Sequence, residues 1–145
     1  MNKALLASLF FLFACAAQAG EIAVSKPWVK GTLPNARSSS AYMEIVSDEA
    51  GNIIGASSPL AQSVELQDMR FALDGGPMRP TLVSEIPLEK RRKLQLTPVS
   101  AHFLLQGLKQ GINAGDRVPL VLKLRMASGE VREVKVEAIG RGLMP

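Results

Sequence analysis

The chain has 145 residues with one Cys, one His and six Met, and its 17 Lys and Arg against 13 Asp and Glu give a net charge of +4. This length suits one domain with its own hydrophobic core. A single Cys excludes an intrachain disulfide and multi-cysteine metal sites, and a single His excludes zinc centres built on three histidines.

The N-terminal segment has the composition of a secretory signal peptide. A positive charge at Lys3 precedes an apolar run over residues 4–16, and residues 17–19 (Ala-Gln-Ala) are small, as signal peptidase requires. The apolar run is shorter than the roughly 20 residues that a membrane-spanning helix needs. We therefore expect a signal peptide at 1–19, a mature domain at 20–145, a periplasmic location and no membrane span after cleavage.

An alternative cleavage site precedes Cys15, to which a lipid would then be attached. Phe13 is bulky for a lipoprotein signal, so cleavage after Ala19 is the favoured prediction. Cleavage there removes the only Cys and leaves 16 basic and 13 acidic residues, a charge of +3. So mild a basic excess serves solubility or docking to an acidic partner, and we expect no nucleic-acid binding.

Short apolar runs and period-two alternation predict strands along the rest of the chain. Between the runs Gly, Pro, Asp and Ser mark turns, and Ser128-Gly129 is typical of a tight hairpin. Eight or nine short strands at roughly ten-residue spacing favour one all-β antiparallel sandwich or barrel. The predicted strands cover residues 22–29, 41–46, 52–55, 63–69, 93–96, 102–105, 118–126 and 131–138.

The charged run at residues 89–93 (Glu-Lys-Arg-Arg-Lys) lies just before one of these strands. We interpret it as a solvated loop. The alternative is a docking patch for an acidic partner.

The residues that could support chemistry are few. His102 is the only candidate general base, no GxSxG motif is present and no carboxylate pair is marked, so we expect no enzymatic activity and keep an extracytoplasmic hydrolase only as a formal alternative. Imidazole and thioether groups are ligands that copper(I) accepts. From the residues alone, however, core packing explains the methionines and a structural role explains the histidine better. The possible thioether donors are Met43, Met69, Met78, Met126 and Met144.

A series of short motifs in a fixed order changes this interpretation. The motifs are Pro27-Trp28, 41–45 (AYMEI), 54–59 (IGASSP) with 64–66 (VEL), 75–80 (GGPMRP), 85–87 (EIP), 96–98 (LTP), 105–109 (LQGLK) and 115–120 (GDRVPL). With these motifs in this order, the chain from about residue 21 to 138 resembles the periplasmic PCuAC copper chaperones. The resemblance implies a cupredoxin-like Greek-key β-barrel that binds copper(I) and helps deliver it to the CuA centre of cytochrome c oxidase or to another copper-handling envelope protein.

The copper ligands of that family are a His, a Met after ten intervening residues, and a His-x-Met after about twenty-one more, where this chain has 23. Carried over by position, the first His falls on Gln67, the first Met on Met78, the second His on His102 and the last Met on Leu104. The resemblance therefore implies that two ligands are kept and two are replaced. Met69 shares a strand face with Gln67 and could supply a substitute thioether, giving a Met69, Met78 and His102 set.

The replacements leave two hypotheses open. A copper(I) carrier with a modified site keeps the metal on two or three ligands, because copper(I) accepts low coordination numbers. A diverged relative keeps the barrel but has lost copper, since the Gln67 amide oxygen is a hard donor and Leu104 has no donor atom. Under the second hypothesis, the protein would act as a binding or assembly factor in the envelope.

Overall fold

The computed structural model describes residues 20–143, so the predicted signal peptide, Cys15 and Met144 lie outside the described part. Within this range the chain forms strands, turns and loops but no helix, and therefore no helix of the length and apolarity that crossing a membrane requires. The strands are β1 (Ile22–Lys30), β2 (Ser38–Ser47), β3 (Gly51–Ser57), β4 (Ser63–Phe71), β5 (Met78–Leu82), β6 (Ile86–Leu88), β7 (Leu94–Leu96), β8 (His102–Gln106), β9 (Arg117–Met126) and β10 (Val131–Arg141).

Seven of these strands close into a barrel. The order around its wall is β4-β8-β2-β1-β10-β9-β3, and the pair Ala56 with Val64 joins β3 back to β4. Outside the ring, β5 pairs with β4, β6 with β3 and β7 with β2. The all-β barrel prediction is confirmed, with two corrections: the described range holds ten strands rather than eight or nine, and β1 runs parallel to β10 instead of antiparallel.

Alternation of apolar and polar residues produces the wall. Along β9 every second residue from Val118 to Met126 is buried, while the residues between them are exposed or half-buried. The inward side chains meet those of β2 and β8, among them Ile45, Phe103 and Leu105, in one continuous core. Because a shift of one residue would turn this apolar set outward, burial fixes the register of each strand.

The two strands that sequence patterns missed are both edge strands. All five residues of β5 are exposed, so no apolar alternation marks it. Both strands contain a proline, Pro80 in β5 and Pro87 in β6. Proline has no N–H to donate, so sheets accept it mainly in edge strands, where that position needs no hydrogen bond to a neighbouring strand. β5 is therefore held by its partner strand rather than specified by burial, whereas β6 buries Ile86 and Leu88 but is too short, at three residues, to show a pattern.

The two ends of the barrel differ in what they hold. At one end, which we call the N-terminal end, the chain enters at Gly20, Asp48 N–H donates to Glu21 O at 3.0 Å, and the β9–β10 turn approaches Glu49. At the opposite end the loops 31–37 and 107–116 meet, with Thr32 N–H donating to Ile112 O at 2.9 Å.

Arg132 ties the N-terminal end together. It takes an inward position on β10, where its Nη1 donates to Gly20 O at 2.6 Å and its Nη2 lies 3.3 Å from Glu49 and 3.2 Å from Glu130. Arg132 thus replaces a valine in the inward-facing series of β10. Its hydrogen bond to Gly20 O fixes the position of the residues that lead into β1.

Candidate metal centre

The register of β4 and β8 brings together most of the predicted site positions. Gln67 of β4 lies directly opposite His102 of β8, and Glu65 lies opposite Leu104. Residues two apart in a strand share a face, so Gln67, His102 and Leu104 all lie on the outer face of the wall, whereas Phe103 points into the core. The prediction that His102 and Leu104 share a face is confirmed by this register.

His102 is held in a defined orientation. Its side chain is 5% exposed, and its Nδ1 lies 2.8 Å from the backbone oxygen of Ser100. A carbonyl can only accept, so Nδ1 carries the proton, and in the neutral imidazole Nε2 keeps its lone pair. This is the arrangement in which a histidine binds a metal through its second nitrogen.

Aromatic residues pack beside the histidine along the same face. The Tyr42 ring lies 5.9 Å from the His102 ring and 4.5 Å from Trp28, measured between centroids. The Arg141 guanidinium carbon lies 4.2 Å from the centroid of Trp28 and completes the row. This row limits the directions from which a ligand reaches the imidazole to the β4 side. Sequence reasoning gave Tyr42 and Trp28 no role at the site, because only the strand register reveals that they adjoin His102.

Met69 is the methionine nearest to the histidine by register. It follows Gln67 by two residues on the same face of β4 and is half-buried. Strand spacing places its Cα diagonally about 8 Å from that of His102, within reach of a long side chain. A thioether at this position can therefore approach Nε2 of the imidazole.

Met78 lies farther along the face. It pairs with Phe71 at the far end of the β4–β5 hairpin and is 40% exposed. Met78 and His102 are two strand spacings apart across the sheet and four residues apart along it. At ideal sheet spacing this is about 17 Å between their Cα atoms. A histidine and a methionine sharing one metal span at most about 13 Å, with metal–ligand bonds of about 2 Å. The register therefore places Met78 diagonally next to Met69 and farther from His102 than Met69 is.

The other two methionines between residues 20 and 143 are buried. Met43 and Met126 are each 2% exposed within the hydrophobic core, where they fill space as the composition indicated. The described residues contain no group of three or more His, Cys, Asp or Glu that could hold a metal.

Two carboxylates lie near the site. Glu65 of β4 lies opposite Leu104, on the face that also holds His102. Glu44 of β2 lies 3.2 Å from Lys93 and 3.6 Å from Lys26, and the hydrogen bond from Lys93 is the main cause that holds the pKa of Glu44 below its usual value. Any preference of the centre for a soft cation therefore comes from its imidazole and thioether donors rather than from the absence of charge.

Comparison with known proteins identifies the fold. The copper-bound PCuAC domain from PmoF2 superposes with a TM-score of 0.66 at 21% identity, covering 86% of this chain and 95% of that one. The solution structure of copper(I)-DR1885 from Deinococcus radiodurans superposes with a TM-score of 0.60 at 27% identity, covering 90% and 83%. These neighbours confirm the resemblance to PCuAC domains and the cupredoxin-like fold.

A relative and a family description match by sequence. The protein named "Putative lipoprotein Lxx21020" from Leifsonia xyli subsp. xyli is 27% identical over 121 residues, covering 82% of this chain and 70% of its own length. The family described as "Putative lipoprotein LpqE-like" matches residues 22–137, nearly the whole barrel. The chain therefore belongs to the LpqE-like family, a relative of the PCuAC domains.

Proposed function

We propose that this protein is an extracytoplasmic copper(I)-binding protein of the chaperone type, with a reduced site formed by His102 and Met69. The observation that carries the proposal is the register that sets Met69 of β4 diagonally beside His102, whose Nδ1 donates to Ser100 O and leaves Nε2 as its possible metal ligand. Copper would be the cargo of such a protein rather than a resident cofactor.

The donor set suits copper(I) more than other metals. An imidazole nitrogen and a thioether sulfur are soft or borderline ligands, which copper(I) accepts and hard cations disfavour. Met78, next to Met69 on the hairpin, is a second thioether that would share copper with Met69 but not with His102. In this proposal Gln67 and Leu104 line the site without binding the metal.

A metal-free assembly factor is the second candidate. It is favoured by Leu104, which offers no donor atom, and by Gln67, which places an amide where the family has an imidazole. A protein of this kind would keep the barrel as a binding surface in the envelope. The two candidates differ in one measurable property, the retention of copper(I).

A chelator competition decides between them. We expect the purified protein to keep about one copper(I) per chain against a chromophoric chelator of matched affinity, with retention lost in His102→Ala and in Met69→Leu. Met43→Leu is the matched control, because it removes a thioether that is buried in the core and conserves volume. Failure of the parent protein to retain copper would favour the metal-free candidate.

The location and recipient of the protein belong to the same proposal. The relative and the family are both described as lipoproteins, which favours the envelope and lipidation at Cys15 over cleavage after Ala19. Mass spectrometry of the membrane-extracted protein should give an N-terminus at a diacylated Cys15. A free N-terminus at Gly20 would restore the soluble periplasmic alternative. We propose the CuA-bearing subunit of cytochrome c oxidase, or another copper-handling envelope protein, as the recipient, to be tested by copper transfer between the purified partners.

A further inference from the structure

The tip of the β4–β5 hairpin exposes an unusual amount of apolar surface. Leu73 is fully exposed, Phe71 is 73% exposed and Met78 is 40% exposed. Between them the turn 74–77 (Asp-Gly-Gly-Pro) is polar, and Gly75 adopts a φ of 81° that favours glycine. Large exposed apolar side chains gathered at one protrusion mark a surface that meets another apolar phase.

Strand register locates this tip at the N-terminal end of the barrel. Both β2 and β4 are antiparallel to β8, so they run in the same direction. Gln67 and Tyr42 flank His102 at one level, and from there β4 continues to Phe71 while β2 continues to Ser47, which pairs with Ile22 of β1. The hairpin therefore projects toward the end at which the chain enters the barrel.

The basic run of residues 90–93 lies at the same end. The backbone of Lys90 forms a parallel β-bridge with that of Ser47, and Arg91 N–H donates to Ser47 O at 2.7 Å. All four side chains are exposed. Asp48, Glu89 and Glu44 pair with three of them, but exposed pairs of this kind contribute little in water, and Lys90 has no acidic partner within 4 Å among residues 20–143.

The N-terminal segment enters at this end as well. Arg132 holds the carbonyl of Gly20 at 2.6 Å, so the first residue of the barrel is fixed in position. Four residues lie between a lipid at Cys15 and Gly20, and the five steps from one Cα to the next reach about 18 Å at full extension. An anchored chain would thus hold the N-terminal end, and not the opposite end, against the bilayer.

We propose that the N-terminal end of the barrel is a membrane-docking surface for anionic phospholipid. The hairpin tip inserts Phe71 and Leu73 among the acyl chains, and the run 90–93 lies over the anionic headgroups. The acyl chains at Cys15 would keep the protein at the membrane, and the basic run would orient this end of the barrel on an anionic bilayer; this part of the argument rests on the proposed lipidation. A soluble acidic protein would match the charge of the run but not the fully exposed leucine at the same end.

Fluorescence on vesicles tests the proposal without the lipid. In a Cys15→Ser background, which has no cysteine, Leu73→Cys or Leu33→Cys carries a single environment-sensitive dye, and the processed, unlipidated protein is mixed with vesicles of phosphatidylglycerol and phosphatidylcholine. Leu33 is the matched control, because it is 67% exposed in the loop 31–37 at the opposite end. We expect a blue shift only for the dye at position 73, reduced in high salt and absent on pure phosphatidylcholine.

Binding measurements on unlabelled variants complete the test. Leu73→Ser, and Lys90, Arg91 and Arg92→Gln together, should each weaken vesicle binding about fivefold or more. Leu33→Ser should leave it unchanged. Equal shifts at both dye positions, or no binding to the anionic vesicles by folded protein, would overturn the proposal. Copper(I) retention by Leu73→Ser stays at the parent level whether or not the proposal holds, so this test is separate from that of the metal site.

Discussion

The barrel wall and the β4–β5 hairpin present their side chains on one sheet face but under different constraints. On the wall, Gln67, His102 and Leu104 are placed by strands that pair on both sides and bury the core on their inner face. On the hairpin, Met78 lies in an exposed strand that pairs only with β4. Of the four positions that the PCuAC resemblance implies for copper ligands, the wall holds three, Gln67, His102 and Leu104, and the hairpin holds Met78.

The comparison teaches that geometry and chemistry can be lost separately. The wall still places three side chains within reach of one metal, so restoring ligands there requires no change of backbone. The hairpin keeps a donor whose position relative to His102 depends on a strand with little burial. Variants that alter only the wall or only the hairpin therefore test whether the two regions differ in this way.

Two phenylalanines give the largest expected contrast. Phe103→Ala on the wall empties a fully buried position and should lower the free energy of unfolding by about 3–5 kcal/mol. Phe71→Ala on the hairpin is 73% exposed and should change it by less than about 0.5 kcal/mol. Urea denaturation of both variants measures the difference, and a loss above 1 kcal/mol for Phe71→Ala would show that the hairpin contributes to the core stability.

Refilling the wall is the second test. Gln67→His with Leu104→Met puts an imidazole and a thioether on the face of His102 and should raise copper(I) affinity by about a hundredfold. The control adds the same groups at the opposite end, with Gln110→His and Leu33→Met. If the folded double variant binds no more tightly than the control, the alignment of ligand positions is wrong.

The two hairpin methionines should differ in importance. Met69→Leu should reduce copper(I) affinity about tenfold or more, because Met69 adjoins His102. Met78→Leu should change it by about twofold at most, since the register keeps Met78 away from the imidazole. Chelator competition on both variants distinguishes them, and an equal loss would indicate that the hairpin bends to bring Met78 to His102 when copper binds.

The smallest effect concerns Glu44, on the outer face of β2. Because Lys93 and Lys26 lower its pKa in the folded protein, the stabilisation is present above the pKa of the unfolded state and is lost as the pH falls through the folded-state pKa. Glu44→Gln should therefore lower the Tm slightly at neutral pH and leave it unchanged in strong acid. Glu137→Gln, whose exposed carboxylate pairs with Arg117 at 3.6 Å, should show less pH dependence.

Sequence patterns predicted the regions that burial specifies. The strands β2, β4, β8, β9 and β10 alternate because one face is in the core, and the Ser128-Gly129 hairpin is confirmed by Gly129 at a φ of 89°. The exposed strand β5 left no such pattern. The parallel pairing of β1 with β10 was missed because it joins residues more than one hundred positions apart.

The candidate site was predictable in part for a similar reason. Period two placed His102 with Leu104 and Gln67 with Met69, since each pair lies within one strand. The hydrogen bond to Ser100 O had no signal, because any residue supplies a backbone carbonyl. The distance of Met78 from His102 depends on how β4 pairs with β5. The sequence spacing of the candidate ligands does not determine that pairing.

The parallel pairing of β1 with β10 has a consequence for how the barrel assembles. The first strand of the wall lies between β2 and β10, the last strand of the chain, through pairs such as Trp28 with Ile139. Until residues 131–141 have been synthesised, β1 and β9 each have an open edge, and no partial chain can close the ring. Barrel closure is therefore a late event of high contact order, and fragments that lack the last strand should aggregate through those edges rather than fold.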